Sequence, residues 1–334
     1  MKKLLIIFIS LLLLFSSIFI SCSKSSDDDT TSTDNSTTTG LFVTVGNSGT
    51  ILTSSDGTSW DNRTSGTTES LVGVIYGNST YVTVGDNGTI LNSSDGTSWD
   101  NRTSGTTNYL YGVTYGNSTF VTVGDNGTIL TSPEGTSWTE RTSGTTTFLF
   151  GVTYGNSTFV TVGVSGTILT SSDGISWTSR TSGTTGSLWG VTYVNGTFVT
   201  VGWNGTILTS SDGISWTSRT SGTSDPLTGV TYGNGTFVTV GYIVTGSTTT
   251  YSDNSTTTST TNKSTSTLTS SDGVTWTLRD SGTSNELRGS ITYGNGLFVT
   301  VGYLGTFLTS SDGISWTSRT SGTTNNLYGV TYSQ

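Results

Sequence analysis

The stretch Phe42–Asn78, FVTVGNSGTILTSSDGTSWDNRTSGTTESLVGVIYGN, returns six more times in nearly the same words. Phe42, Tyr81, Phe120, Phe159, Phe198 and Phe237 open copies 39 residues apart, and Phe298 opens the seventh, 61 residues after Phe237. A fixed period of this size is the mark of a repeat architecture. One copy reads as four short strands. Leu110–Tyr115 is the first, Thr119–Gly124 the second, Thr128–Ser132 the third and Ser137–Thr142 the fourth. The turns between them carry Gly116-Asn117, Asp125-Asn126-Gly127 and Pro133-Glu134-Gly135, where Asn and Gly suit positive φ. Four strands in 39 residues leave no room for a helix.

A four-stranded sheet cannot bury both faces alone, and stacking copies around a central channel solves this. The expected fold is all-β, a seven-bladed β-propeller over residues 41–334. The register of the ends points to closure. The first copy lacks its first strand, and Leu327–Tyr332 is a first strand with no successor. Pairing 327–332 with 41–46 completes one blade and removes two free edges. An open solenoid would instead need atypical capping repeats at both ends.

Composition narrows the function classes. The chain has 334 residues, 31% of them apolar, with 45 glycines and 2 prolines. Histidine is absent, so imidazole metal sites and His-based catalysis are excluded. One cysteine cannot form an internal disulfide, and neither a cofactor nor a metal is expected. A net charge of −9 and a pI near 4.3 argue against nucleic acid. A monomer is expected.

Residues 1–21 carry Lys2, Lys3 and an apolar run from Leu4 to Ile20, the pattern of a secretion signal. The run ends Phe19-Ile20-Ser21-Cys22, which resembles a bacterial lipobox. That resemblance implies cleavage before Cys22, lipid on its thiol and an outer-membrane lipoprotein of the cell envelope. Residues 22–40 are then a lipidated cysteine and a Ser/Thr/Asp tether without apolar residues. The acidic run Asp27-Asp28-Asp29 resembles surface-export signals of one bacterial phylum, and reads equally as a solvated spacer.

The most constant part of each copy is the turn between the third and fourth strands. Asp56, Asp95, Glu134, Asp173, Asp212, Asp272 and Asp312 are each followed by Gly and then by Trp60, Trp99, Trp138, Trp177, Trp216, Trp276 or Trp316. This resembles the Asp box of the bacterial neuraminidase repeat, shortened by one residue between Asp and Gly. The physics of such a turn is structural: the carboxylate accepts from its own backbone and the indole packs between blades. Arg63, Arg102, Arg141, Arg180, Arg219, Arg279 and Arg319 follow each Trp by three residues and read as outer-strand packing. The Asn-Ser-Thr and Asn-Gly-Thr triplets read as turns.

Near-identical copies make their differences informative. One variable position is Val72, Tyr111, Phe150, Trp189, Thr228, Arg288 and Tyr328, preceded by Glu69, Tyr109, Phe148, Asp225 and Glu286. The other is Asn47, Asp86, Asp125, Val164, Trp203, Tyr242 and Tyr303, after the second strand. In an up-and-down blade both connections lie on one face, opposite the acidic turns. Tyr111, Phe150, Trp189, Trp203, Tyr242, Arg288, Tyr303 and Tyr328 are therefore the candidate ligand face, suited to a protein or a carbohydrate. The competing reading is drift in loops, with inner-strand aromatics filling the channel. An insertion of about 242–267 falls in the same turn of the sixth copy and reads as a disordered loop. Ser290 adds one residue to the seventh inner strand, as a bulge would.

The neuraminidase resemblance implies a sialidase as the alternative to a non-catalytic binder. Such enzymes use three arginines on the substrate carboxylate, and Arg288 is the one arginine outside the outer-strand set. Asp86, Asp125, Asp225 and Glu286 could supply paired glycosidase carboxylates. The repeats are also similar to propellers of the photosystem II assembly-factor type, which act by binding proteins.

Overall fold

A computed structural model describes residues 40–243 and 266–333. The expected leader, Cys22 with its tether up to residue 39, and positions 244–265 of the insertion lie outside the described residues. The remainder is a seven-bladed β-propeller of four-stranded antiparallel sheets. Blade 3 shows the plan: Leu110–Gly116 innermost, then Thr119–Gly124, Ile129–Ser132 and Thr139–Arg141 outermost. The outer strand is shorter than its sequence pattern suggests, because the indole of Trp138 turns inward just before it.

The ring closes as the ends foretell. Leu327–Tyr332 pairs antiparallel with Phe42–Gly46, so blade 1 joins both ends of the propeller. Side chains reinforce the joint. Leu41 donates its N–H to Ser333 Oγ at 2.8 Å, and Ser333 returns its own N–H to the Leu41 carbonyl at 3.0 Å. Asn325 Nδ2 donates to Thr50 Oγ1 at 2.8 Å.

Burial falls between blades rather than within them. Each of seven apolar clusters joins one blade to the next. Val82, Val84 and Ile90 of blade 2 meet Leu110, Val113, Phe120 and Leu130 of blade 3, for example. This explains why second strands read TFVTVG with no polar face. Both faces of such a strand are covered, and the alternating Thr is itself buried.

That buried Thr has a specific partner. Its hydroxyl donates to a carbonyl of the neighbouring inner strand in six blades, as Thr122 does to Gly112 at 2.9 Å and Thr44 to Gly329 at 2.7 Å, and in blade 7 Thr300 donates to the Ser290 carbonyl just before that strand. The bond matters because each inner strand is irregular there. In six blades the register slips by one residue between a Leu and the following Gly. A bulge leaves a backbone group unpaired, and a buried unpaired carbonyl costs ~1–3 kcal/mol. The Thr hydroxyl supplies a donor beside this irregular point.

Blade 7 departs from this plan. Its inner strand is only Ile291–Gly294, and the extra Ser290 lies outside the strand rather than forming a bulge within it. Ser290 instead ties the segment to the inner strand of blade 1. Its N–H donates to the Tyr328 carbonyl at 2.7 Å, and its Oγ accepts from the Val330 N–H at 2.8 Å. On the other side, Thr228 Oγ1 donates to the Leu287 carbonyl at 2.8 Å.

The acidic turns form as their composition dictates. Asp56 Oδ1 accepts from the Thr58 and Ser59 N–H groups at 2.7 and 2.9 Å, and the Ser54 hydroxyl donates to the same oxygen at 2.9 Å. Gly57 supplies φ of 75°. The Trp60 indole then swings between blades 7 and 1, its ring 4.3 Å from that of Phe307. All seven outer-strand arginines donate Nε to a third-strand Thr or Asn, as Arg63 does to Thr53 Oγ1 at 2.8 Å. They are packing groups.

Candidate functional site

The bulge decides which side chains reach the channel. The slipped residue in each of the six regular blades is the variable one: Val72, Tyr111, Phe150, Trp189, Thr228 and Tyr328. A bulge re-aims a side chain, and here these side chains join Arg288 around one end of the channel, lining a cavity of about 550 Å³. Close approach of the inner strands requires the glycine that follows. A Cβ on Gly112 would stand 2.6 Å from the carbonyl oxygen of Phe150 in the next blade.

The second variable position lies on the same face. Outside blade 6, where the insertion falls, each second strand ends in a tight turn whose first N–H donates across to a carbonyl on the segment leading into the inner strand, as Asp125 does to the Tyr109 carbonyl at 2.9 Å. The middle residue takes positive φ, 53° at Asn126 and 55° at Asn204, which is the turn chemistry Asn is suited to. The glycine before the turn allows this bond. A Cβ on Gly124 would lie 2.0 Å from the Tyr109 carbonyl oxygen. The acidic turns lie at the opposite face, beside the turns from first to second strand: Asn234 Nδ2 donates to the Ser311 carbonyl at 3.3 Å.

The aromatic members form a connected band over blades 5, 6, 7 and 1. Trp189 and Trp203 meet edge to face at 6.0 Å between ring centroids, and Trp189 lies 6.3 Å from Tyr242. The Arg288 guanidinium lies over the Tyr242 ring at 3.9 Å and over the Tyr303 ring at 5.2 Å. Tyr303 meets Tyr328 at 6.3 Å. Such stacking is worth ~1 kcal/mol for a partly exposed cation. Trp203 is 46% exposed while Tyr242 is only 8% exposed. Tyr242 thus carries Arg288 from beneath and offers little surface to a ligand, which its sequence position did not reveal. Tyr109, Phe148 and Leu304 add further exposed apolar side chains to this face.

Arg288 is not a free cation. Its Nε lies 2.7 Å from Glu286 Oε2. Across the mouth the character changes. Tyr111 and Phe150 pair edge to face at 5.3 Å. Burial and the adjacent carboxylate of Asp125 hold the Tyr111 phenol well above its usual range. Burial raises the Asp86 carboxyl as well, and the charges of Glu69 and Asp125 push it further in the same direction. Glu69 Oε2 accepts from Asn87 Nδ2 at 2.9 Å. Among the described residues, no group of His, Cys, Asp or Glu is arranged to hold a metal ion.

No family model and no curated sequence matches the chain. Several solved structures share its architecture. YCF48 from Cyanidioschyzon merolae is similar at 16% identity and a TM-score of 0.56, over 77% of this chain and 88% of that one. YCF48 bound to D1 peptide is similar at 16% identity and a TM-score of 0.54, over 74% and 81%. The computationally designed Ika8 protein is similar at 10% identity and a TM-score of 0.55, over 88% of each chain. At these identities the likeness establishes the propeller fold and nothing finer.

Proposed function

We propose that this chain is a cell-envelope lipoprotein whose propeller binds a protein or glycan partner at the channel mouth without chemically changing it. The observation that carries this reading is the convergence of the variable side chains. The copies differ most where bulges and tight turns bring Tyr111, Phe150, Trp189, Trp203, Arg288, Tyr303 and Tyr328 to one end of the channel. Constant positions build blades, and variable aromatic positions face solvent together. That a structurally similar propeller has been seen with a peptide bound lends support to a polypeptide ligand. The serine–acid–glycine turns agree with kinship to the neuraminidase repeat. Arg288 held by Glu286 speaks against an arginine triad for sialic acid. The lipid anchor at Cys22 would place the propeller on the outer membrane, facing outward if the acidic run is an export signal.

The test is a binding screen over glycans and envelope proteins, with fluorogenic glycosides assayed in parallel. Trp189→Ala combined with Trp203→Ala is expected to weaken binding at least tenfold, about 1.4 kcal/mol. Turnover of a glycoside, abolished by Asp86→Asn or Asp125→Asn, would replace the binder with an enzyme. The anchor is checked by labelling with a palmitate analogue. Label is expected on the intact chain and absent after Cys22→Ser; equal label on both would refute lipidation there.

A further inference from the structure

The two sides of the mouth differ in chemistry, and the difference specifies a ligand. Blades 5, 6, 7 and 1 present the aromatic band from Trp203 to Tyr328. Its one cation, Arg288, is stacked on Tyr242 and paired with Glu286 at 2.7 Å, so it leaves little positive field for an anion. Blades 2, 3 and 4, across the ring, present Phe150 of blade 4 and Tyr111 of blade 3, with Glu69 and Asp86 of blade 2 and Asp125 of blade 3 on the Tyr111 side. Among the described residues no lysine or arginine forms an ion pair with those three carboxylates. The arginines of those blades, Arg102, Arg141 and Arg180, are held on the outermost strands by Asn92, Thr131 and Thr170.

Resting on the mouth as the binding site, we infer that its ligand is an extended, positively charged polypeptide segment. An apolar side chain of the segment lies against Trp189 and Trp203, and a lysine or arginine beside Tyr111 faces Asp86 and Asp125. Trp189 and Tyr111, one from each side, both line the cavity of about 550 Å³, and the carboxylates stand beside Tyr111 at its rim. A small ion cannot use both walls, whereas an elongated chain with separated apolar and cationic groups can. A cation beside an aromatic face gains from the ring quadrupole, and carboxylates behind the ring add to it. Like charges held together at Asp86 make an incoming positive charge relieve an existing repulsion. A neutral sugar would stack on the tryptophans but leave the acidic wall unused.

The experiment uses the full chain without its leader and three probes: a short peptide alternating lysine and phenylalanine, its glutamate counterpart, and a neutral glucan oligosaccharide. Binding is read by calorimetry and tryptophan fluorescence. The lysine peptide is expected to bind at least tenfold tighter than the glutamate peptide. Its affinity should fall severalfold from about 0.1 M to about 1 M salt, where the Debye length shrinks from about 10 to about 3 Å. Asp86→Asn with Asp125→Asn should weaken it severalfold while leaving the melting temperature near that of the parent. If the double variant fails to fold, the salt dependence of the parent decides alone. Equal or tighter binding of the glutamate peptide, or binding of the glucan alone, overturns the cationic ligand. Should Trp189→Ala with Trp203→Ala then abolish that other binding, the mouth itself stands. Lysine-peptide binding indifferent to the tryptophan variants removes the mouth as the site, and no binding by any probe overturns the inference.

Discussion

Deleting residues 327–334 is expected to abolish cooperative unfolding. The segment is the innermost strand of blade 1, and it is the part of that blade contributed by the C-terminal end. Leu327 is fully buried and Val330 nearly so, both in the cluster that joins blade 7 to blade 1. The Tyr332 ring lies 4.5 Å from that of Phe42. Burying two such aliphatic side chains contributes ~1.5–3 kcal/mol each. The larger loss is topological. Without the strand, Phe42–Gly46 becomes a free edge, and the buried Thr44 hydroxyl loses the Gly329 carbonyl that accepts from it at 2.7 Å. Blades 1 and 2 would also lose inner-strand packing, since Gly329 approaches the Val72 carbonyl closely. The combined loss is a large share of the ~5–15 kcal/mol by which domains are stable. Urea or thermal unfolding followed by circular dichroism should show a broad, early transition in place of a sharp one. A truncated chain melting like the intact one would show that closure is not what holds the ring.

The blades were legible because the repeat displays its period seven times, so each strand could be checked against six others. Closure was legible for a related reason: the repeat is cut after its first strand, and the missing piece reappears at Leu327–Tyr332. Bulges were not legible. A Leu, a variable residue and a Gly read as continuous strand, and only the pairing of Leu110 with Gly124 and Gly112 with Val123 exposes the slip at Tyr111. For the same reason the part played by Thr122 was hidden: its hydroxyl donates to the Gly112 carbonyl beside the slip. The mouth as a set of positions could be read from variation among copies. The partners within it could not. Glu286 and Arg288 are near neighbours in sequence, but the stacking of Arg288 on Tyr242 joins residues separated by the insertion. Ser290 read as a bulge and proved to be a tie to the neighbouring blade, because an extra residue is absorbed wherever the irregular segment finds partners.

The same repetition makes the fold sensitive to acid. In the folded chain the carboxyls of Asp56, Asp95, Asp173, Asp212, Asp272 and Asp312 are held below the ordinary Asp range. At Asp56 the Thr58 hydroxyl is the largest cause, followed by the Ser59 and Thr58 N–H groups; at Asp173 it is the Ser176 N–H. A carboxyl with a depressed folded pKa contributes stability that is complete above its unfolded value, near 3.9, and is lost as pH falls through the folded value. Asp86 works with the opposite sign, since its raised value makes protonation favour the folded state, but it is one group against these six and Glu134, which the Thr136 hydroxyl likewise holds low. Each turn is well exposed, so each contribution is modest; six acting in one cooperative ring make the sum large. The melting temperature is therefore expected to be level from about pH 8 to about pH 5 and to drop steeply below about pH 4. Replacing Asp by Asn at Asp56, Asp173 and Asp272 should lower stability near neutrality and flatten the acid limb. Blade 3 should yield first in hydrogen exchange, because Glu134 accepts the Ser137 N–H at a longer 3.2 Å and its turn includes Pro133. A melting temperature unchanged down to about pH 2 would show that these carboxylates decorate the turns rather than hold them.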